Sequence, residues 1–290
     1  RSQSQKIDIL TEFVDVSHFL NEDGLKLDVP AGKYKLFFIY QNNVSHNTLG
    51  SAYKGAWEKS LVLDHLNKNG INEYVEELNK WIQNIEPYKP RYFFIDSFEL
   101  IGELPWSEKF FETFNEMHGY NITPYLPLIF KKNGESKYLH AIFGEEFIFE
   151  SENNFSKRIY EDYISTREHL FMHEFLFPIK NWIHSLDIKL RLQAHGGYGN
   201  YLDAYAIADI PESEGLFAGG SFDFLKLASS AANIANKRIV SSESFIKIDF
   251  NYNKLKIKDY ERLVGNAFAA GINHIVFHGY PYEFSYKENN

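Results

Sequence analysis

IKLRLQA, residues 188–194, is a short apolar run whose polar groups gather at its C-terminal end, Gln193 and then His195. Four other runs share that layout. YFFIDSF (92–98) leads to Asp96 and Glu99, and AYAIADI (204–210) to Asp209 and then Glu212 and Glu214. RIVSSESF (238–245) carries Glu243, and HIVFHGY (274–280) carries His278 and Tyr280. Helical patterns separate them, over about 107–118, 161–185, 222–236 and 258–270, with Gly271 as a plausible stop. Short strands apolar on both sides and separated by helices predict a parallel sheet covered on each face, hence an α/β protein.

The position of the polar groups separates the two parallel architectures. A (β/α)8 TIM barrel brings the C-terminal ends of its strands to one mouth, where side chains converge. A doubly wound sheet would show a glycine-rich phosphate loop after an early strand. The nearest candidate, GGYG at 196–199, leads into Asn200 and what reads as a strand, with no long helix between. A TIM-barrel-like fold is therefore expected. Upstream, Asn67 to Ile85 places apolar residues at three- and four-residue steps and predicts a helix, and Tyr34 to Gln41, entered from Pro30-Ala31-Gly32, reads as a strand. We expect residues 1–50 to be a β-rich lead-in and 51–290 the barrel portion.

Composition narrows the chemistry. The net charge of −9 and the absence of clustered Lys and Arg argue against nucleic acid, and no apolar run approaches the roughly 20 residues of a membrane span. With no cysteine, thiolate metal sites and cysteine nucleophiles are excluded. Aromatic residues, at 17%, supply flat surfaces of the kind that pack against sugar rings, although many serve the core. Residue 1 is Arg and no signal-like apolar stretch follows, so the true start of translation is expected to lie upstream or to have been removed.

Glycosidic cleavage needs one carboxylic acid to protonate the leaving oxygen and a carboxylate opposite it. Glu99, Glu214 and Glu243 stand at three different strand ends and are the candidate catalytic groups. Asp96 either contacts ligand or merely accepts loop N–H groups. His195, His274 and His278 beside carboxylates suggest a metal site in composition only, since no two of them have a helical metal spacing with an intervening Glu, and hydrogen bonding to sugar or a structural role fits them better. His169 and His173, four apart on a helix, could chelate, but their aromatic neighbours favour packing.

These motifs resemble glycoside hydrolase family 106, the α-L-rhamnosidases. The resemblance runs through VLDHLNKNGINEYVEELNKWI, FIDSFELIGELPWSEKFFETFNEMHGYNITPYLPLIF, LRLQAHGGYGNYLDAYAIADIPESEGLF, ASSAANIANKRIVSSESF and GINHIVFHGYPY, in that order. It implies Glu99 as general acid, Glu214 or Glu243 as the base of an inverting hydrolysis, and a calcium ion held by acidic oxygens. It also implies Asp96, Trp106, Gln193, His195, Glu212, His278 and Tyr280 around a glycoside or oligosaccharide substrate, and a periplasmic or secreted setting. The five runs correspond to the fourth to eighth strands of the family's barrel, so an upstream half or a partner chain is expected. The HGG turn at 195–197 departs from the family's usual Tyr or Pro turn, which leaves another deoxy or uronic sugar open, as well as a non-catalytic carbohydrate-binding barrel remnant.

Overall fold

The computed structural model describes residues 5–7, 13–41, 63–85, 87–98, 100, 104–132, 134, 144, 146–246 and 256–278. In chain order its strands are β1 (Gln5–Ile7), β2 (Leu20–Asn21), β3 (Gly24–Leu25), β4 (Tyr92–Ile95), β5 (Phe149–Ser151), β6 (Lys189–Leu192), β7 (Ile210–Glu214), β8 (Ser241–Ser244) and β9 (His274–Phe277). The α-helices are α1 (Lys68–Gln83), α2 (Phe110–His118), α3 (Phe155–Leu170), α4 (Phe177–Ser185), α5 (Tyr201–Ile207), α6 (Phe222–Ile234) and α7 (Ile257–Ala269). They fall into two compact units, Arg1–Tyr74 with Glu99–Phe175, and Val75–Phe98 with Leu176–Asn290.

The second unit holds a five-stranded, all-parallel sheet in the order β4-β6-β7-β8-β9. Each strand lies beside the one before it in sequence within the sheet, with no reversal of order such as a doubly wound sheet requires. The fold is α/β, with the strand succession of part of a barrel. Helix α6 packs on β7 and buries the small side chains Ala228, Ser229, Ala231 and Ala232, with the Ser229 hydroxyl donating to the Ala270 carbonyl at 2.6 Å. Gly271 ends the next helix with φ at +91°, a value an L side chain rarely adopts. On the helix-covered face Phe93 meets the ring of Trp182 edge-on at 5.5 Å, and the Trp182 indole N–H donates to Asn79 on α1 at 2.9 Å.

The first unit is organised by aromatic side chains. Phe110 and Phe114 on α2 are fully buried, as is Tyr163, which lies one helical stripe with Ile159, Thr166 and Leu170 on α3. Helix α1 starts where Asn67 Oδ1 accepts the Asn69 N–H and Glu174 accepts the Lys68 N–H. Between α3 and α4 the chain widens into a π-helical stretch, Phe171–Leu176.

Two expectations fail. Tyr34 to Gln41 forms no strand, and Tyr34, Phe38 and Tyr40 lie in solvent. An extended segment becomes a strand only by pairing, and this one is anchored by side chains instead: Phe37 edge-on and Lys35 by its ammonium, both on Phe149. Ala204 to Ile210 is not one strand either. Asn200 Oδ1 accepts the Leu202 N–H and caps α5, and the alanine-bearing stretch winds as a helix before β7 starts at Ile210. The apolar run and the true strand are thus offset, and β7 has the sequence IPESE. Asp209 consequently sits at the N-terminal end of β7, where it bonds His184 and the Leu190 N–H, away from the strand's C-terminal end. Among the described residues no helix is long and apolar enough to cross a membrane.

Candidate active site

Side chains alternate between the faces of a strand, so a parallel register states which residues share a face. Glu212 pairs with Ser241 and Ser241 with His274, while Glu214 pairs with Glu243 and Glu243 with Val276. Gln193 follows the Leu192–Pro211 pair and so stands on the next rung, level with Glu212. Arg191, Gln193, Glu212, Glu214, Ser241 and Glu243 therefore occupy one face, opposite the face that carries Phe93 and the covering helices. Three of the expected carboxylates and their amide neighbour come from adjacent parallel strands at their C-terminal ends.

Glu212 is the deepest, with no solvent exposure. A carboxylate so placed needs donors on every side. It accepts from Ser241 Oγ at 2.5 Å and Gln193 Nε2 at 3.2 Å, and Arg191 Nε stands 3.1 Å away as an ion pair without the alignment of a hydrogen bond. Burial pushes the Glu212 carboxyl above its ordinary range, opposed in part by the Ser241 hydroxyl and the Arg191 charge. Arg191 in turn lies over the ring of Phe94, 4.2 Å from its centroid.

Glu214 and Glu243 keep access to solvent, with side chains 11% and 13% exposed. Each has its own set of partners. Glu243 accepts from Gln193 Nε2 at 2.5 Å and bonds Nδ1 of His278, an exposed residue just beyond β9. Glu214 meets His195 Nε2 at 2.7 Å, and the other ring nitrogen of His195 lies 2.8 Å from the Tyr205 hydroxyl. With Nε2 of Gln193 toward two carboxylates, its amide is assigned the orientation that avoids setting oxygen against oxygen.

The turns behind these groups depend on glycine. Gly196 has φ at +79°, and a Cβ on it would lie 1.9 Å from the carbonyl oxygen of Phe98. That close approach goes with a hydrogen bond from the Phe98 N–H to the His195 carbonyl at 3.0 Å. The residue before Glu99 is thereby fixed to the residue that supports Glu214. Gly215, after Glu214, donates its N–H to the Glu243 carbonyl at 2.7 Å.

Of the other expected residues, Glu99 and Tyr280 lie outside the described residues. Asp96 is exposed, and its Oδ1 accepts the neighbouring Ser97 N–H at 2.8 Å, the loop-holding contact considered for it. Trp106 is half-buried in the first unit, stacked 4.1 Å from Phe110. His169 and His173 stack on each other with ring centroids 4.3 Å apart. Among the described residues no three or more His, Asp or Glu side chains gather where they could hold a metal ion. Arg191, Ser241 and Tyr205 were not expected. The first two stand two residues before Gln193 and Glu243, so strand alternation alone would have placed them on this face.

A family model described as alpha-L-rhamnosidase, glycoside hydrolase family 106, matches residues 2–283. A protein of Formosa agariphila named "Putative beta-glucuronidase" is 25% identical over 285 residues, covering 94% of this chain and 22% of that protein. A solved rhamnosidase structure from Novosphingobium sp. PP1Y superposes with a TM-score of 0.56 at 21% identity, covering 76% of this chain and 21% of the other, a likeness of fold. The chain thus spans about a fifth of the length of each of these relatives. On the match across nearly its whole length, the chain belongs to glycoside hydrolase family 106, the α-L-rhamnosidase family.

Proposed function

We propose that this chain contributes the acid/base face of a glycosidase that cleaves terminal α-L-rhamnosides with inversion. One observation carries the reading: Glu214 and Glu243 stand in register on adjacent parallel strands, partly exposed, each held by separate hydrogen-bonding partners. In this reading β4 and β6–β9 are five of the eight strands of a (β/α)8 barrel. Glu99, by family resemblance, protonates the glycosidic oxygen as the bond to the anomeric carbon breaks. Glu214 or Glu243 takes a proton from the water that attacks that carbon from the opposite side. Glu212, without exposure, acts from behind through Gln193, and exposed His278 stands at the rim beside Glu243.

A second reading, a uronic sugar as substrate, rests on the name of the Formosa relative. Both are tested by incubating the full chain with p-nitrophenyl α-L-rhamnopyranoside and p-nitrophenyl β-D-glucuronide and following the released sugar by proton NMR. The proposal expects cleavage of the rhamnoside with β-L-rhamnose formed first. Cleavage of the glucuronide alone favours the second reading, α-L-rhamnose formed first contradicts inversion, and binding without cleavage of either leaves a carbohydrate-binding barrel. A calcium ion is retained on the family's account only, and its test is loss of activity on chelation with recovery on adding calcium.

A further inference from the structure

His195 was expected to meet sugar, yet its surroundings give it a different task. The residue is fully buried, and both ring nitrogens are engaged by protein groups, Nε2 by Glu214 and Nδ1 by Tyr205. Its ring is flanked by Phe217 at 4.9 Å and Phe224 at 5.1 Å, which leave it little room to turn. A neutral imidazole has one N–H donor and one bare acceptor, so the partner of one nitrogen decides what the other presents.

Glu214 and Tyr205 together make that decision. The ring and hydroxyl of Tyr205 are buried, and burial raises its pKa so far that it stays a phenol in any ordinary buffer. The Glu214 carboxylate can only accept, so the ring's own proton sits on Nε2 facing it, and bare Nδ1 accepts the proton of the Tyr205 hydroxyl. We infer that Tyr205 and His195 form a buried relay of hydrogen bonds in which His195, locked as the Nε2–H tautomer, is the positioning residue of Glu214. This rests on reading Glu214 as a candidate base, and it gives Glu214 a fixed, dedicated donor that leaves its remaining lone pairs free for water.

Only part of the test depends on turnover. In nitrogen-15 correlation spectra of histidine-labelled full chain, His195 is expected to show a protonated Nε2 and a bare Nδ1, and Tyr205→Phe is expected to weaken that preference. A wild-type His195 protonated on Nδ1 alone overturns the relay, whatever sugar the chain cleaves. In kinetics, the amide nitrogen of Gln reaches the place of Nε2 and that of Asn does not. His195→Gln should therefore keep kcat within a few-fold of wild type, while His195→Asn loses about 10- to 100-fold, the range seen when outer supporting partners are removed. KM should move little in either. Equal losses in the two variants, or a change confined to KM, overturn the positioning role. Tyr205→Phe keeps the ring volume, so its effect is read on a folded chain even where His195→Asn fails to fold. If no glycoside is turned over, the proposed function fails while the spectra still decide the relay.

Discussion

Gln193 and Glu243 are hydrogen bonded although an entire strand, β7, lies between them. Neighbouring strands are about 4.8 Å apart, so residues two strands apart meet only when their side chains lean toward each other over a sheet that curls to that side. The bond thus reports a concave face, the geometry a convergent site needs. Replacing the amide by an apolar group of like size, Gln193→Leu, should lower kcat on the glycoside substrate about 10-fold or more with little change in KM. An unchanged kcat would mean that Glu243 is held well enough without it.

Glu212 is predicted to matter for stability first. Glu212→Ala leaves Arg191 beside an empty, buried site and should cost about 3 to 5 kcal/mol, measured from urea midpoints. Glu212→Gln keeps an acceptor for the Ser241 hydroxyl and should cost clearly less.

Gly196 and Gly265 should respond oppositely to alanine. At Gly196 the positive φ and the contact with the Phe98 carbonyl make Gly196→Ala destabilising by on the order of 3 kcal/mol. Gly265 lies inside α7 with open space around its Cα, so Gly265→Ala should stabilise by about 0.5 to 1 kcal/mol. Thermal melts of the two variants check both signs.

A pH effect is expected in the first unit. His65 lies against the rings of Phe171 and Phe175, and burial lowers its pKa to about 4. Its pKa is depressed on folding, so the unfolded chain binds the proton first. The stability tied to neutral His65 is complete above about pH 6.5 and is lost as pH falls from there through about 4. Between those values the wild-type Tm should fall more steeply than that of His65→Gln, and below them the two should run parallel. Identical slopes throughout would contradict it.

The fold was legible in sequence where local pattern and tertiary role coincide. In β4, β6 and β9 the strand is the apolar part of the run, β8 is the polar SSES within the run read as a strand, α1, α2 and α6 lie within the segments expected to be helical, and α7 starts one residue before its segment. It was illegible at β7, because IPESE carries two carboxylates, of which Glu212 is fully buried, which only the donors of neighbouring strands make possible. A run such as AYAIADI outscores it in apolarity and draws the strand upstream. The Tyr34 to Gln41 stretch failed for the converse reason, since apolar and aromatic content says nothing about whether a ladder partner exists. At the site, Gln193, Glu214 and Glu243 could be named from strand-end position. The support of Glu214 by Tyr205 through His195 could not, because it depends on a helix that the sequence reading had taken for a strand.

The most direct measurement is kcat of the full chain on p-nitrophenyl α-L-rhamnopyranoside beside its Glu214→Gln and Glu243→Gln variants. The proposed chemistry predicts that at least one of them loses about 100- to 10,000-fold in kcat with KM within a few-fold, as removal of a general base should. Wild-type rates in both variants would contradict it.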